Sequence, residues 1–346
     1  MCIIKKGDNM IYPKFLKNNS CIGIVVPSDG ADGEADTNRF KNAIKRFNDM
    51  GYKLVVSSNL FKSNRGRSAS AIDRANEIND MFNNKEIDMI ICACGGDFMV
   101  EILPYINFNN IINNPKYICG FSDPTCFLYT LTTKYDIATI YGHNFNAFGA
   151  SNIHKSEEDF LEIIKGNIIK QDSYDMYQNE KKEKVTGLEG YNLDSKVYWK
   201  TIDNKEVNIT GRIIGGCFDL ISDISGTKYD GIDLFNEKYK DDGIIWYFDN
   251  CEKSMEDVIR ILWKFNELDY FKYTKGIIFG RFGIENSYYE YDVKTCLMDS
   301  VISRLNIPII YDADISHKKP CLTIINGSIA TIKVKDGKGS IKFDLN

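Results

Sequence analysis

A serine at position 122 stands where an apolar strand gives way to a helix. The segment Lys116–Phe121 is short, apolar and rich in strand-forming residues. Three residue types that begin helices follow the serine: Asp123, Pro124 and Thr125. Such a corner exposes a hydroxyl beside helix N-terminal amides, as nucleophilic acyl transfer requires. Pro124 replaces the second glycine of the common Gly-x-Ser-x-Gly motif, however, and a serine here can simply cap the helix.

Three histidines are candidates for the general base that would activate this serine. His143 follows a predicted strand at 137–141 and is expected to line the same cleft. His154 lies in a polar stretch and is expected to be solvated. His317 lies on a loop that leaves a predicted strand, where a mobile base is useful. A hydrogen-bonded or surface role is the plain alternative for each of them.

The carboxylate that would orient the histidine is harder to choose. Asp249 ends an apolar strand, and it must lie at a rim or in a polar site because burying an unpaired charge is costly. Asp312 and Asp314 are nearer to His317 along the chain, and Glu252 follows Asp249 closely. The residues alone leave all four open, since acids in such places commonly begin helices or lie in loops.

The glycine pair Gly95-Gly96 follows another predicted strand and either supplies an amide to an oxyanion or forms a tight turn. No P-loop, Rossmann glycine fingerprint or His-Glu-x-x-His motif is present. The ten cysteines include no Cys-x-x-Cys pair and are interpreted as small, reduced core residues. We therefore expect no metal and no cofactor.

Alternating strands and helices in the first half predict an α/β fold with a doubly wound parallel sheet, flavodoxin-like or Rossmann-like. In such sheets ligands bind beyond the carboxyl ends of the strands. The second half predicts a mixed α/β domain with β-hairpins turning at Asn326-Gly327 and Asp336-Gly337. A polar, charged stretch between the halves indicates a linker. We place the nucleophile domain at 1–165, the linker at 166–185 and the second domain at 186–346.

The composition of the chain excludes several classes of binding partner. The 346 residues carry a formal net charge of -5, which argues against a nucleic-acid or anionic-membrane surface. No apolar run reaches the roughly 18 residues that a membrane helix needs. The N-terminal residues lack a signal-peptide core, so we expect a cytoplasmic protein that acts on a small molecule.

Together these segments resemble the LD-carboxypeptidases, a family of serine peptidases that includes the microcin C immunity proteins. The resemblance covers residues from about 11 to 344 and rests on six motifs in the family's order. These are Ile24–Ser28, Gly95–Phe98, Gly120–Thr125, Gly215–Cys217, Trp246–Asp249 and Asp312–His317.

The resemblance implies a catalytic triad in which Ser122 is the nucleophile, His317 the base and Asp249 the acid. The amides of Asp123 and of the Gly95-Gly96 turn match the family's oxyanion hole. Family members are cytoplasmic, need no metal and are commonly homodimers. They cleave amide bonds next to a free carboxylate or a charged amide, either in murein tetrapeptides or in aminoacyl-nucleotide and peptidyl-nucleotide toxins.

Two residues depart from the family pattern. Asp249 replaces the usual glutamate, which shortens the acid's reach by about 1.5 Å. Ser316 replaces a glycine and leaves the histidine loop less backbone freedom. A histidine-orienting acid can be Asp or Glu if the scaffold adjusts, so we expect retained activity. The alternative is a catalytically weak or inactive protein that binds the same ligands in the same cleft.

Overall fold

The first sheet of the protein carries the predicted nucleophile. A computed structural model describes residues 9–345. Five parallel strands lie in the order β5-β4-β3-β1-β2, and every neighbouring pair within them is parallel. The strands are β1 (Cys21–Val25), β2 (Lys53–Val56), β3 (Met89–Cys92), β4 (Tyr117–Gly120) and β5 (Thr139–Tyr141).

Helices connect these strands, as the predicted alternation of strands and helices requires, and a further helix follows β5. They are α1 (Gly33–Asp49), α2 (Ala71–Asn83), α3 (Phe108–Asn113), α4 (Thr125–Tyr135) and α5 (Lys155–Ile164), with 3-10 turns at Met99–Tyr105 and Phe145–Gly149. Helix α1 buries Phe40, Ala43 and Phe47 on one face. Ser70 caps the start of α2, and its side chain accepts a hydrogen bond from the Asp73 amide.

The second sheet is mixed and holds eight strands in the order β6-β16-β15-β10-β11-β12-β13-β9. Its strands are β6 (Gln171–Asp172), β9 (Lys200–Thr201), β10 (Val207–Cys217), β11 (Ile244–Asp249), β12 (Thr274–Gly280), β13 (Ile309–Ala313), β15 (Ile329–Lys335) and β16 (Lys338–Asp344). Strands β10 to β13 run parallel, and all six residues of β11 are buried. The predicted α/β fold class is therefore confirmed.

The remaining elements pack around these two sheets. The second half contains the helices α6 (Phe218–Ile224), α7 (Ile232–Tyr239), α8 (Met255–Glu267) and α9 (Val293–Asp299), with a 3-10 turn at Val301–Arg304. Two short strands, β7 (Met176–Tyr177) and β8 (Ser195–Lys196), pair with each other alone. Within residues 9–345, no helix is both long and apolar enough to cross a membrane.

One of the two predicted hairpins is wrong. Strand β14 (Ile324–Asn326) does not pair with β15; it adds to the edge of the first sheet, antiparallel to β5. The Asn326-Gly327 corner therefore passes the chain from one sheet to the other. The second hairpin is correct, because Asp336 and Gly337 both have positive φ and join the paired strands β15 and β16.

The domain boundaries at 165 and 186 stay a prediction. Within the predicted linker, residues 166–185, the structure places β6 at the edge of the second sheet and β7 beside β8. Since β14 lies after His317 in the chain but in the first sheet, the second half contributes one strand to the sheet of the first half.

Candidate active site

Ser122 lies at a sharp corner between β4 and α4. Its φ of 72° is in the left-handed region, which non-glycine residues seldom adopt and which marks local strain. A Cβ on Gly120 would lie 2.5 Å from Pro124 Cβ, so only glycine permits this corner. Asn144 holds the corner through both of its amide atoms, accepting from the Phe121 amide at 2.9 Å and donating to the Phe121 carbonyl at 3.0 Å.

The His317 imidazole reaches the serine from the loop that follows β13. Its Nε2 lies 2.9 Å from Ser122 Oγ, within hydrogen-bond distance. The imidazole packs against Phe121 with 4.7 Å between ring centroids. Since the two side chains come from different sheets, the contact spans the cleft between them.

The carboxylate of Asp249 lies behind the imidazole at the end of β11 and is fully buried. Its Oδ1 lies 2.9 Å from His317 Nδ1 and also accepts the His317 backbone amide at 3.1 Å. Its Oδ2 accepts the Tyr141 hydroxyl at 2.7 Å. Burial raises the pKa of Tyr141, with the Asp249 charge adding to it, so the phenol keeps its proton and donates it. Both oxygens of this buried acid thus have partners.

The other candidate acids have different partners. Asp312 pairs with Lys200 at 2.8 Å, and buried Asp314 pairs with Arg281 at 2.6 Å. Glu252 lines the cleft. Of the four acids, Asp249 is the one that the structure brings to His317.

Ser316 fastens the histidine loop to the end of β12. Its buried hydroxyl donates to the Arg281 carbonyl at 2.6 Å and accepts the Lys318 amide at 2.9 Å. The Arg281 guanidinium donates to the Lys318 carbonyl at 2.9 Å. The loop also passes so close to Gly280 that a Cβ there would lie 1.7 Å from the Ile315 carbonyl oxygen. The departure from glycine at position 316 therefore adds hydrogen bonds that fix His317.

Among residues 9–345, backbone amides without an acceptor lie in the glycine turn and directly after Ser122 in the chain. A Cβ on Gly95 would lie 3.0 Å from Ser122 Cβ and 3.3 Å from its Oγ, so the glycine turn packs directly on the serine. Within residues 9–345, the amides of Gly95, Gly96 and Asp123 have no hydrogen-bond acceptor. These amides are therefore the candidates for an oxyanion site.

The Asp123 side chain, by contrast, serves the scaffold. It is buried, and its Oδ2 accepts the Met99 amide at 2.7 Å and the Ser28 hydroxyl. Burial raises the pKa of this carboxyl. A Cβ on Gly96 would lie 2.3 Å from Ser28 Oγ, so the same hydroxyl also packs under the glycine turn. Asp123 thereby ties the turn to the serine corner.

The other two histidines lie away from the serine. His143 was expected to line the cleft, but it is buried between the rings of Phe148 and Phe160, and burial lowers its pKa to about 4. His154 was expected to be solvated, but its Nδ1 caps α5 by accepting the Ser156 amide at 3.1 Å. His143 differs from the prediction because it packs among aromatic rings, and His154 differs because it caps the start of a helix.

A cleft of about 810 Å³ opens over Ser122 and His317. One wall is formed by residues 178–192, which the sequence indicated only as linker and domain start. Six basic side chains line the cleft: Arg39, Lys181, Lys182, Lys184, Lys318 and Lys319. Three acids line it as well: Glu183, Glu189 and Glu252. The excess of cations favours an anionic ligand even though the chain as a whole is acidic.

Sequence analysis missed Tyr141, Asn144 and Arg281. Tyr141 is the last residue of β5, and Asn144 follows shortly after it. Ligands bind at the carboxyl ends of parallel strands, so this position in the sequence could have indicated both residues as site candidates. No sequence pattern near Arg281 predicts its contact with the histidine loop. In the described part of the chain, no cluster of three or more His, Cys, Asp or Glu side chains could hold a metal ion.

Comparison with known proteins agrees with this architecture. The profile of the LD-carboxypeptidase N-terminal domain matches residues 22–142, and that of the LD-carboxypeptidase C-terminal domain matches residues 210–332. A putative carboxypeptidase of Vibrio cholerae is 28% identical over 330 residues, which are 93% of this chain and 95% of the relative.

Two further comparisons involve the microcin C7 self-immunity protein. That protein of Escherichia coli is 26% identical over 300 residues, 83% of each chain. A solved structure of the immunity protein in complex with glutamyl sulfamoyl guanosine superposes with a TM-score of 0.80 at 24% identity. The superposition covers 95% of this chain and 98% of that chain, and it shows a shared fold. The chain belongs to the LD-carboxypeptidase family of serine peptidases.

Proposed function

We propose that Ser122, His317 and Asp249 form the catalytic triad of a hydrolase that cleaves amide bonds. The observation that carries this proposal is the unbroken chain of contacts from Ser122 Oγ to His317 Nε2 and from His317 Nδ1 to Asp249 Oδ1, each 2.9 Å long. Nucleophile, base and orienting acid within hydrogen-bond reach are the geometric signature of such a triad.

In the proposed reaction, His317 Nε2 takes the proton of Ser122 Oγ while the oxygen attacks the scissile carbonyl carbon. Asp249 keeps the Nδ1 proton on the side away from the serine and stabilises the imidazolium that forms. His317 then gives its proton to the leaving amine, which departs and leaves an acyl ester on Ser122. Water, deprotonated by the same imidazole, hydrolyses this ester and restores the serine.

The tetrahedral intermediate carries a negative oxygen, and we assign its stabilisation to the amides of Gly96 and Asp123. Neither amide has an acceptor among residues 9–345; Asp123 directly follows Ser122 in the chain, and Gly96 directly follows Gly95, which packs on Ser122. Gly95 belongs to the same turn and allows its close approach to Ser122. Preorganised donors of this kind act on charge that develops only during the reaction, which is why they accelerate it.

We propose as substrate a small peptide or aminoacyl-nucleotide whose scissile amide lies near a free carboxylate. A cleft of about 810 Å³ matches the size of small-molecule sites, and its surplus of lysines suits an acid. Among relatives, one is named a putative carboxypeptidase and another is a microcin C7 immunity protein solved with glutamyl sulfamoyl guanosine. Murein tetrapeptides and aminoacyl-nucleotide amides are therefore the two substrate classes to test.

The first experiment asks whether the serine is activated. A fluorophosphonate probe should label the wild type, and neither Ser122→Ala nor His317→Ala should be labelled. Mass spectrometry should then detect hydrolysis of a murein tetrapeptide or a glutamyl sulfamoyl adenosine by wild type but not by Ser122→Ala. Binding of either compound without labelling or hydrolysis would favour an inactive binding protein instead.

Location and assembly belong to the proposal as well. We propose a cytoplasmic homodimer, as the resemblance implies. Light scattering on the purified full chain gives its mass directly, and a mass near 39.5 kDa would contradict the dimer. Neither nucleic acid nor a membrane is expected as a partner, given the acidic chain.

A further inference from the structure

Among the residues that line the cleft, a lysine ammonium lies beside the reacting groups. Lys319 Nζ lies 3.1 Å from the centroid of the Phe121 ring and 3.1 Å from Cys321 Sγ. The same phenyl ring packs against the His317 imidazole and immediately precedes Ser122 in the chain. The cation is thus a near neighbour of the proposed nucleophile and base.

This ammonium lacks the counter-charge that its neighbour has. Lys318 pairs with Glu285 at 3.1 Å, whereas among residues 9–345 no carboxylate pairs with Lys319. Lys319 is half-buried, and its two contacts are an aromatic face and a thiol. Burial raises the pKa of Cys321, so that thiol stays neutral and does not offset the charge. A partly desolvated cation in this setting attracts an incoming carboxylate more strongly than one in water.

The backbone on either side of Lys319 is held in place before any ligand arrives. The Lys319 carbonyl accepts the amide of Gln178 at 2.7 Å, and the Lys318 carbonyl accepts the Arg281 guanidinium at 2.9 Å. The bond from Gln178 connects Lys319 to the cleft wall at residues 178–192. The bond from Arg281 connects Lys318 to the end of β12. Binding a ligand at Lys319 therefore requires little further ordering of the backbone.

We propose that Lys319 binds a carboxylate of the substrate within about one residue of the scissile amide, and that it makes the enzyme prefer free acids to their amides. This inference rests on the proposed function and deepens it by naming the residue that selects the substrate class. A cation on an aromatic face and a thiol gains a charge-assisted hydrogen bond from an acid but only a weaker one from a carboxamide.

Binding to the Ser122→Ala variant tests the proposal without any chemical step. Isothermal titration would compare two matched pairs: a murein tetrapeptide with its C-terminal carboxamide, and glutamyl sulfamoyl adenosine with its glutaminyl counterpart. We expect the acid of at least one pair to bind about 10- to 100-fold more tightly than the amide. Adding Lys319→Met should make the two affinities equal, and Lys319→Arg should keep part of the preference.

Lys338→Met in the same background is the control, because that lysine pairs with Asp175 at 2.8 Å and is not among the residues that line the cleft. It should keep the acid preference, and all variants should keep the thermal midpoint of their parent. The inference is overturned if Lys319→Met keeps the preference, if acid and amide bind equally to the parent, or if neither binds. The proposed function fails by different results: an unlabelled Ser122 and no hydrolysis by wild type.

Discussion

The hydroxyl of Tyr141 lies 2.7 Å from Asp249 Oδ2, the carboxylate oxygen that does not contact His317. Tyr141 of the first sheet thereby donates a hydrogen bond to Asp249 of the second sheet, at the carboxylate oxygen that His317 leaves free. The resemblance implies a glutamate here, one methylene longer than this aspartate, and the tyrosine hydroxyl holds the shorter acid in its buried site.

Tyr141→Phe should lower the catalytic rate constant by about 5- to 100-fold, because a buried charged oxygen loses its donor. KM should change little, since the hydroxyl lies behind the acid. Tyr247→Phe is the control: that tyrosine is equally buried, but its hydroxyl contacts Asn326. Equal losses of rate in both variants would mean that Tyr141 acts only through general packing.

Asp249→Asn should reduce the catalytic rate constant by about 10⁴-fold while the fold stays intact, because the amide can stabilise the wrong imidazole tautomer and no longer offsets its charge. Steady-state kinetics and fluorophosphonate labelling measure the effect, and circular dichroism checks the fold. Activity within tenfold of wild type would remove Asp249 from the triad.

Gly95→Ala should reduce the rate by about 10²-fold without unfolding the protein. The added Cβ would lie 3.0 Å from Ser122 Cβ and must displace the nucleophile or the turn. Gly190→Ala provides a control within the same cleft, because a Cβ there has its nearest neighbour at 3.8 Å. If the two alanine variants have the same activity, the Gly95 turn does not position Ser122.

Ser316→Ala should lower the free energy of unfolding by about 1–2 kcal/mol, because it removes a buried hydroxyl that bridges the Arg281 carbonyl and the Lys318 amide. Ser316→Gly restores the family residue, and it should cost more stability and rate than alanine since the loop also gains freedom. Urea denaturation and kcat measure the two effects. A more active glycine variant would show that the serine hinders the loop.

His143 should make the protein sensitive to acid. Burial lowers its folded pKa to about 4, whereas a histidine in an unfolded chain titrates near 6.5. The unfolded state therefore binds more protons between these values, so stability present at neutral pH is lost as pH falls toward 4. His143→Phe should flatten this dependence by up to about 1.4 kcal/mol per pH unit in urea titrations. Parallel pH profiles would contradict this.

Local patterns predicted the serine corner well, because Ser122 and the helix start at Thr125 are neighbours in sequence. The resemblance predicted His317 and Asp249, which the structure brings into contact; their catalytic roles stay a prediction. The hairpin predicted at Asn326-Gly327 was wrong because a turn motif indicates a change of chain direction but not which strands pair on either side of it. Arg281 and Tyr141 were missed because contacts between distant segments leave no local pattern.

Strand β14 comes from the second half of the chain but pairs in the first sheet, and this affects any attempt to produce the two halves separately. A fragment ending near residue 185 would lack β14 and leave the edge of β5 bare, with backbone groups ready to pair with another copy. The sheet that carries Ser122 is thus completed only by residues from the second half of the chain, and we expect the fragment expressed alone to aggregate.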